Sequence, residues 1–399
     1  MRRVEDARTG TRARPGSPSR PAESPGPLLW PFPGLRYDPV VAGPLASLLA
    51  PPHTELDRST RTALLASSRY VVTHLERPEY DAGPGRAVQR WLDEGALVQD
   101  EPSFYVVRQE QDGRVQHFLT GQLDVSAHDD RVHPHEGVFE QAVTARLERL
   151  ETTGVDSEPV LVVDRHPWPL SWTDPASLGR RVEVAENDRC HVEVWQLNDP
   201  DVLAELTAAS ATHRFLIADG HHRYAAVLRA AQRDGTPHSL LVAVADDAIE
   251  PVDLRALHRV LPRAAAQEVL RRAPRRRDVV AKDATGVALI TDALGFEQAL
   301  VVCDGDAVVV ECPPATGTTV GSGAWVDTVV RGFGTGNSDV RYRPDAGAIW
   351  STLGDRAAVF LPKPRVPALQ ELVRGGSSLG RKTTSFRPKP LAGTVLRLR

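Results

Sequence analysis

The residues best suited to chemistry are the five at 219–223, which read Asp-Gly-His-His-Arg. A carboxylate, two imidazoles and a guanidinium supply proton acceptors, hydrogen-bond donors and a fixed positive charge within one turn of chain. Gly220 permits a tight turn with the backbone close to a ligand. These residue types favour a phosphate group, because Arg223 can clamp two of its oxygens while His221 and His222 donate to it.

The surrounding sequence predicts a strand, a tight turn and a helix. Apolar residues 215–218 read as a short buried strand that ends at Asp219. From His221 onward, apolar residues recur at intervals of three and four over 224–231, and Gly235 is the predicted C-cap. Such a turn directs free backbone N–H groups and the positive end of the helix dipole to one point, which favours an anion. The structural alternative is that Asp219 caps the helix and the histidines are solvated.

Length and composition indicate a globular protein of two domains. The chain has 399 residues, of which 41% are hydrophobic and 25% charged. Strands and helices alternate without the regular order of a doubly wound sheet, so the predicted class is α+β with mixed sheets. We expect a disordered leader over 1–29, a core domain with the Asp-Gly-His-His-Arg motif over 30–262, and an additional α+β C-terminal domain over 263–399.

Several classes of protein are disfavoured by the composition. No apolar run approaches the roughly 18 residues that a membrane span needs. Cys190, Cys303 and Cys312 are sparse and lack C-x-x-C spacing, which argues against a disulfide framework or a thiolate zinc site and favours a reducing cytoplasm. The formal net charge of -4 makes a nucleic-acid partner an unfavourable hypothesis. The sequence does not predict an oligomeric state.

Six short motifs along the chain, taken together, resemble a known family. They are residues 31–37 (Pro-Phe-Pro-Gly-Leu-Arg-Tyr), 50–52 (Ala-Pro-Pro), 134–136 (Pro-His-Glu), 217–224 (Ile-Ala-Asp-Gly-His-His-Arg-Tyr), 257–260 (Leu-His-Arg-Val) and 382–386 (Lys-Thr-Thr-Ser-Phe). In this order, from about residue 30 to the C-terminus, they resemble the bacterial family of domain of unknown function 1015. That family's Asp-Gly-His-His-Arg segment is in turn similar to the phosphate-binding segment of the ParB, sulfiredoxin and free serine kinase superfamily. The resemblance implies a ParB/sulfiredoxin-like nucleotide-binding core.

The same resemblance implies a nucleotide-dependent phosphotransferase. The free serine kinases move a phosphoryl group from a nucleotide to the hydroxyl of serine, so the expected donor is ATP or ADP and the expected acceptor is serine or a related hydroxy amino acid. Phosphoryl transfer needs positive charge, a metal ion and a carboxylate that accepts the proton of the nucleophile. Glu55 and Glu136 are the candidate bases. Asp219 is the candidate ligand of Mg²⁺ and is counted among the catalytic residues.

Further contacts are expected from the other motifs. Phosphate contacts are assigned to His258, Arg259, Lys382, Thr383 and Thr384, in addition to Gly220, His221, His222 and Arg223. Substrate contacts are assigned to Arg36, His53 and His135. A lysine followed by hydroxyls is a good anion binder, although a solvated C-terminal loop is an equal alternative for that segment.

The sequence departs from its family at one position that bears on catalysis. The family continues Ala-Pro-Pro with Tyr-Asp, whereas His53 and Thr54 stand here. Either Glu55 or Asp57 replaces the missing carboxylate, or the protein is inactive or acts on an altered substrate. Val138 also stands where the family has a threonine. Nucleotide binding is therefore a firmer expectation than catalysis.

Two other functions remain as alternatives. The first is a metal-dependent hydrolase, which would require a transition metal bound by His133, His135, His221 and His222. A His-x-His pair on an extended segment places both rings on one face. A non-catalytic nucleotide-binding switch, as in ParB proteins, is the second alternative. A DNA-binding version of that switch would need a helix-turn-helix and a basic domain, and the sequence predicts neither.

Overall fold

The computed structural model combines helices with several sheets, so the predicted α+β class with mixed sheets is confirmed. It describes residues 26–52, 55–76, 84–126, 129–187, 190–314, 317–336 and 339–399. Within these ranges, no helix has the length and apolar character needed to cross a membrane.

Short helices flank the sheets. They are α1 (Pro39–Ala42), α2 (Arg58–Ser67), α3 (Thr73–Glu76), α4 (Pro84–Asp93), α5 (Glu140–Thr153), α6 (Pro200–Ala209), α7 (His221–Asp234), α8 (Arg263–Arg272), α9 (Ala284–Asp292), α10 (Ser322–Gly332), α11 (Ala346–Ser351) and α12 (Val366–Arg374). Aspartates begin several of them: Asp57 and Asp283 each accept a hydrogen bond from the backbone N–H three residues later. The helix α7 begins instead after a glycine.

The strands are mostly short and are numbered along the chain. They are β1 (Leu29–Trp30), β2 (Gly34–Tyr37), β3 (Leu97–Gln99), β4 (Phe104–Gln111), β5 (Arg114–Val125), β6 (Val132–Pro134), β7 (Val155–Asp156), β8 (Val160–Asp164), β9 (Arg180–Asn187), β10 (Cys190–Leu197), β11 (Phe215–Asp219), β12 (His238–Asp246), β13 (Asp253–Ala256), β14 (His258–Leu261), β15 (Arg276–Val279), β16 (Gln298–Cys303), β17 (Asp306–Glu311), β18 (Thr319–Val320), β19 (Arg341–Arg343), β20 (Ala357–Phe360), β21 (Ser378–Leu379), β22 (Thr384–Arg387) and β23 (Leu396–Leu398).

A mixed sheet of nine strands forms the first half of the fold. Its order is β6-β11-β8-β12-β5-β4-β10-β9, with β1 added beside β5. The pairs β6–β11 and β8–β12 are parallel, and the other pairs along that order are antiparallel. Strand β8 is buried on both faces: Val162 belongs to the core that contains α7, whereas Leu161 and Val163 belong to the opposite core, as the two-residue period of a strand requires.

Two local predictions are confirmed. The hairpin β4–β5 turns at Asp112 and Gly113, whose φ angles of 52° and 72° are both positive. The strand β11 is followed by the turn residue Gly220 and then by α7, and α7 ends at Gly235 in the left-handed conformation. Hydrophobic residues of α7 pack on the sheet through Val227 and its neighbours.

A second sheet of six strands, β15-β17-β16-β20-β14-β19, forms most of the C-terminal part. Its valine-rich strands pack against α8 and α10 through Val269 and Val326. The last residues of the chain return to the first half, because β22 pairs with β13, and β23 pairs with β2 and β7. The division into domains at 262/263 stays a prediction.

Candidate functional site

A cavity of about 670 Å³ opens beside the start of α7. Segments far apart in sequence form its wall: residues 136–146, 219–223, 342–344 and 381–389, together with Glu55 and Leu257. The sequence-predicted residues that line it are Glu55, Glu136, Asp219, Gly220, His221, His222, Arg223, Lys382 and Thr384. The structure therefore brings most of the predicted site together.

Gly220 makes the turn at the start of α7. Its φ of 92° lies in the left-handed region, and a Cβ there would lie 2.8 Å from Val160 Cγ2 and 2.9 Å from Arg223 Nη2. No side chain of the described residues caps the first turn of α7. Helical geometry therefore leaves the N–H of His221 without an intrahelical acceptor at the cavity wall, where the helix dipole favours an anion.

Asp219 does not cap α7 but pairs with a lysine from the end of the chain. Its Oδ1 lies 2.6 Å from Lys389 Nζ, and Glu55 Oε1 lies 3.8 Å from the same ammonium. Burial lowers the pKa of Lys389, but the charge and hydrogen bond of Asp219, with smaller contributions from Glu55 and Glu158, outweigh it and raise the pKa overall. The ammonium therefore stays charged and links the two predicted carboxylates.

Arg223 is buried and committed to the protein. Its Nη2 lies 2.8 Å from Glu158 Oε1 and 3.4 Å from Asp219 Oδ2, while Nη1 donates to the backbone oxygens of Glu158 and Pro159. The sequence assigned this guanidinium to a phosphate clamp. In the structure its donors hold the turn to the neighbouring strand, so a clamp would first have to release them.

His135 and His221 lie against each other below the turn. His135 Nδ1 is 2.7 Å from Ile217 O, and because a carbonyl only accepts, Nδ1 must carry the proton. The other nitrogen, Nε2, is 2.7 Å from Thr384 Oγ1, and His221 Nε2 is 3.3 Å from Nδ1. Burial lowers the pKa of both rings, and the nearby His135 contributes to holding the pKa of His221 well below its usual range. Both rings are therefore neutral at pH 7.

Glu136 binds the backbone of the C-terminal segment. Its carboxylate accepts from the N–H groups of Lys382, Thr383 and Thr384 at 3.1, 3.0 and 2.7 Å. The Thr384 hydroxyl oxygen, which also contacts His135 Nε2, lies 2.5 Å from Oε1 of this carboxylate. Lys382 adopts a left-handed φ of 53°, which turns these N–H groups toward one point. The three N–H donors hold this carboxylate against the C-terminal segment, so its oxygens are already engaged within the protein.

His222 belongs to a stack of three side chains. Its Nε2 accepts from the N–H of Phe139 at 3.0 Å, and the two rings lie parallel with centroids 6.0 Å apart. Arg381 covers the Phe139 ring at 4.0 Å. This stack joins α7 to the segment 381–389 across the cavity.

The cavity wall is strongly cationic. Its charged residues are Arg146, Arg223, Arg343, Arg381, Lys382, Arg387 and Lys389 against the carboxylates Glu55, Glu136 and Asp219. Seven fixed positive charges therefore face three negative ones. Low-dielectric walls concentrate such a field, and a polyanion is the ligand it attracts.

The predicted contacts Arg36, Arg259 and His258 do not line the cavity. Arg36 forms an ion pair with Asp100 at 2.6 Å and another with Glu183 at 3.1 Å, and its pKa is raised chiefly by the hydrogen bond to Asp100. Arg259 is fully buried and paired with Asp327 at 2.9 Å.

His258 is likewise a core residue, since its Nδ1 accepts from the N–H of Leu361. Burial lowers its pKa to about 4. His53 and Thr54 lie outside the described residues. Thr383 contacts Glu136 through its backbone but is not among the residues that line the cavity.

Sequence reasoning missed several cavity residues. They are Arg146, Arg343, Arg381, Arg387 and Lys389, and the buried partner Glu158. The density of positive charge over 381–389 could have indicated three of them, Arg381, Arg387 and Lys389. Nothing in the local sequence marks Glu158 or Arg146.

The side chains do not form an evident metal centre. Within the described ranges, no group of three or more His, Cys, Asp or Glu residues is arranged to hold a metal ion. Asp219, the predicted magnesium ligand, does not fit that role in this arrangement, because Lys389 occupies Oδ1 and Arg223 lies 3.4 Å from Oδ2. His133 lines a different cavity from His221 and His222.

Fold and site together define an α+β protein with a cationic cavity at the start of a helix. A family model described as "Protein of unknown function (DUF1015)" matches residues 29–322, which is most of the chain. The chain belongs to that family, and the family predicted from the short motifs is confirmed.

Other comparisons give more distant likenesses. No curated protein matches the chain. Among solved structures, it is similar to free serine kinase in complex with AMP, with 15% identity, a TM-score of 0.42, and coverage of 70% of this chain and 91% of that one. It is also similar to a conserved hypothetical protein from Pyrococcus furiosus (15% identity, TM-score 0.38, coverage 69% and 93%) and to C-terminally truncated SbnI from Staphylococcus aureus (13%, 0.39, 68% and 85%). The ParB/sulfiredoxin-like core stays a prediction.

Proposed function

We propose that the protein is a nucleotide-dependent phosphotransferase that acts on the hydroxyl of a small molecule, serine or a related hydroxy amino acid. The observation that carries the proposal is the excess of cationic side chains in the cavity at the uncapped start of α7. A ligand with several negative charges, such as a polyphosphate, is attracted both by these cationic side chains and by the N-terminus of α7. The resemblance of the Asp-Gly-His-His-Arg motif to nucleotide-binding segments makes ATP or ADP the proposed donor.

The proposed phosphate site lies between α7 and the segment 381–384. The backbone N–H of His221 supplies a donor, and the exposed ammonium of Lys382 supplies a charge opposite it. Arg381 adds a second charge, held in place over the ring of Phe139. In this proposal Arg223 positions the turn and does not itself contact phosphate.

Glu55 is the proposed general base. The cations nearest to its carboxylate are Arg387 at 3.4 Å and Lys389 at 3.8 Å. Asp219 is held more closely, because the Lys389 ammonium lies 2.6 Å from its carboxylate. Glu55 would take the proton of the acceptor hydroxyl while that oxygen attacks the terminal phosphorus. The bond from this phosphorus to the bridging oxygen breaks, and the shortened nucleotide leaves with the electron pair.

Positive side chains are the proposed source of charge stabilisation. Because Lys389 occupies the place on Asp219 that a metal ion would need, the reaction is derived without a magnesium ion held by that carboxylate. Lys389 and Lys382 instead neutralise charge near the transferring group. Asp219 then keeps the Lys389 ammonium in position between itself and Glu55.

We also propose that the reaction takes place in the cytoplasm. Cys190, Cys303 and Cys312 are free thiols. Burial raises the pKa of Cys303 to about 11 and that of Cys312 to about 12, so both stay protonated and unreactive. Free thiols without disulfides are typical of a reducing compartment.

The test combines the full chain, Mg²⁺, one of ATP, ADP, CTP or GTP, and a panel of hydroxy amino acids, with phosphorus NMR as the measurement. A new phosphomonoester signal is expected for at least one pair. Glu55→Gln should slow transfer by about 10²–10⁴-fold and leave nucleotide affinity within about threefold. Lys382→Gln should weaken nucleotide binding by about tenfold, since it removes one charge-assisted contact.

Arg271→Gln is the control for loss of a positive charge. This side chain is 68% exposed and pairs with Glu268 on α8, which does not contribute to the cavity. The proposal fails if no nucleotide is consumed and Lys382→Gln binds nucleotide as tightly as Arg271→Gln does. Binding that depends on Lys382 without any consumption would contradict transfer and favour the nucleotide-binding switch.

A further inference from the structure

A second cavity, of about 460 Å³, lies at the opposite end of the strands that lead into the first. Arg214, just before β11, and Leu216 of β11 line it, whereas the last residue of β11, Asp219, lines the first cavity. On the neighbouring strand β6, His133 lines the second cavity, and Glu136 just beyond β6 lines the first. We name this second cavity the arginine groove, after Arg165, Arg214 and Arg374 in its wall.

The groove carries an excess of positive charge. Among the described residues that line it, Asp164 is the sole carboxylate. Both oxygens of Asp164 are occupied, since Oδ2 pairs with buried His213 and Oδ1 accepts from the N–H groups of residues 165 and 166 at 2.7 and 3.0 Å. Arg165 is paired outside the groove lining with Asp247 at 3.3 Å.

The other two arginines are weakly engaged. Arg214 is 52% exposed, and its nearest carboxylate, on Asp130, is 3.9 Å away and 85% exposed. Arg374 is exposed at the end of α12. Pairs this exposed contribute little free energy, so an incoming anion can replace the carboxylate of Asp130 at low cost.

His133 supplies a polar atom that lacks a partner. Its Nε2 is buried, and no atom of the described residues forms a hydrogen bond with it. Burial lowers the pKa of His133, and the charges of Arg214 and Arg374 lower it further against the opposing charges of Asp130 and Asp129. The ring and both guanidiniums line the same groove. Buried polar groups in native proteins are almost always hydrogen-bonded, so this nitrogen indicates a missing partner.

We propose that the arginine groove binds the phosphate group of a small molecule, with Arg214 and Arg374 as charged donors beside the ring of His133. A phosphate suits this wall because its oxygens can accept from several planar guanidinium groups at once. Free phosphate and a phosphomonoester share this chemistry. The site does not depend on the function proposed for the first cavity.

The test follows imidazole ¹H–¹³C signals of the full chain during titration with inorganic phosphate and, separately, with glycerol phosphate. The variant His133→Gln identifies the His133 signal, and His222→Gln identifies that of His222 in the first cavity. We expect the His133 signal to shift and saturate. Tighter binding of glycerol phosphate assigns the groove to a phosphomonoester, and tighter binding of inorganic phosphate assigns it to the free ion.

Two double variants with the same loss of charge separate the groove from general electrostatics. The double variant Arg214→Gln/Arg374→Gln should raise the dissociation constant of phosphate, measured from the His133 signal, by about 100-fold, or about tenfold for each lost contact. Arg229→Gln with Arg233→Gln, on the exposed face of α7, should leave it within about twofold. The proposal is overturned if His133 does not respond to either ligand, or if both double variants weaken binding equally. A response at His222 alone would leave the first cavity as the phosphate site and refute the groove.

Discussion

Replacing Arg223 should destabilise the fold much more than replacing another arginine of the same helix. The guanidinium of Arg223 is 9% exposed and pairs with Glu158, whose side chain is 3% exposed, at 2.8 Å. Arg229 also forms an ion pair from α7, with Glu140 at 2.5 Å, but these side chains are 38% and 77% exposed. The two sites share a helix, a residue type and a type of partner, and differ mainly in burial.

Burial sets the expected magnitudes. Removing one member of a buried ion pair leaves an uncompensated charge and costs about 3–5 kcal/mol, whereas an exposed pair contributes about 0.2–1 kcal/mol. Arg223→Met should therefore lower the free energy of unfolding by at least about 3 kcal/mol. Arg229→Met should lower it by less than about 1 kcal/mol. Adding Glu158→Gln to Arg223→Met should recover part of the loss, because it removes the unpaired carboxylate.

Urea unfolding followed by circular dichroism measures these differences, provided that the slope of the transition is the same for all variants. Equal losses for Arg223→Met and Arg229→Met would refute the role of Arg223 as the buried anchor of the turn. A further loss on adding Glu158→Gln would also contradict it, since the unpaired carboxylate would then not be the source of the cost.

Two more perturbations test the turn and the core around it. Gly220→Ala should cost at least about 2 kcal/mol more than Gly235→Ala in urea unfolding, because both glycines have positive φ but only the first would place a Cβ 2.8 Å from Val160. For His258, burial lowers the pKa from 6.5 to about 4, so the folded protein resists protonation that the unfolded chain accepts. The contribution of neutral His258 to the free energy of unfolding is complete above pH 6.5 and is lost as the pH falls toward 4. Between pH 7 and 5, the free energy of unfolding of the parent protein should therefore fall by about 2 kcal/mol more than that of His258→Gln. Equal losses would show that His258 is not the group responsible.

The elements around the turn could be predicted from sequence because they are local. The apolar run before Asp219, the glycine, and the helical period after His221 lie within twenty residues, and each part favours the next. The hairpin at Asp112 and Gly113 was predictable for the same reason. In both cases the conformation that each residue prefers locally is also the conformation that packing in the fold requires.

The partners of the site could not be predicted, because folding brings them from distant segments. Lys389 contacts Asp219 although 170 residues separate them, and Glu158 contacts Arg223 across a separation of 65 residues. The family motif around 257–260 was expected to supply phosphate contacts. Arg259 does not supply such a contact, because it is fully buried and its guanidinium is paired with Asp327 inside the C-terminal part.

These pairings change the physical meaning of the Asp-Gly-His-His-Arg motif. Each of its four polar side chains has a partner within the protein: Asp219 contacts Lys389, His221 contacts His135, His222 accepts from Phe139, and Arg223 contacts Glu158. The motif therefore joins four segments of the chain, and this explains its density of polar groups better than phosphate binding by those side chains does. What it offers a ligand is the backbone at the start of α7.

The charges that would meet a ligand come from other segments. Lys382 and Arg343 are exposed at the cavity wall, and neither belongs to the motif. Substitutions within the motif should accordingly reduce stability before they reduce binding, whereas Lys382→Gln should reduce binding and leave stability almost unchanged. Measuring unfolding and nucleotide affinity on the same variants separates the two roles, because a motif whose side chains bind phosphate directly would lose affinity at unchanged stability.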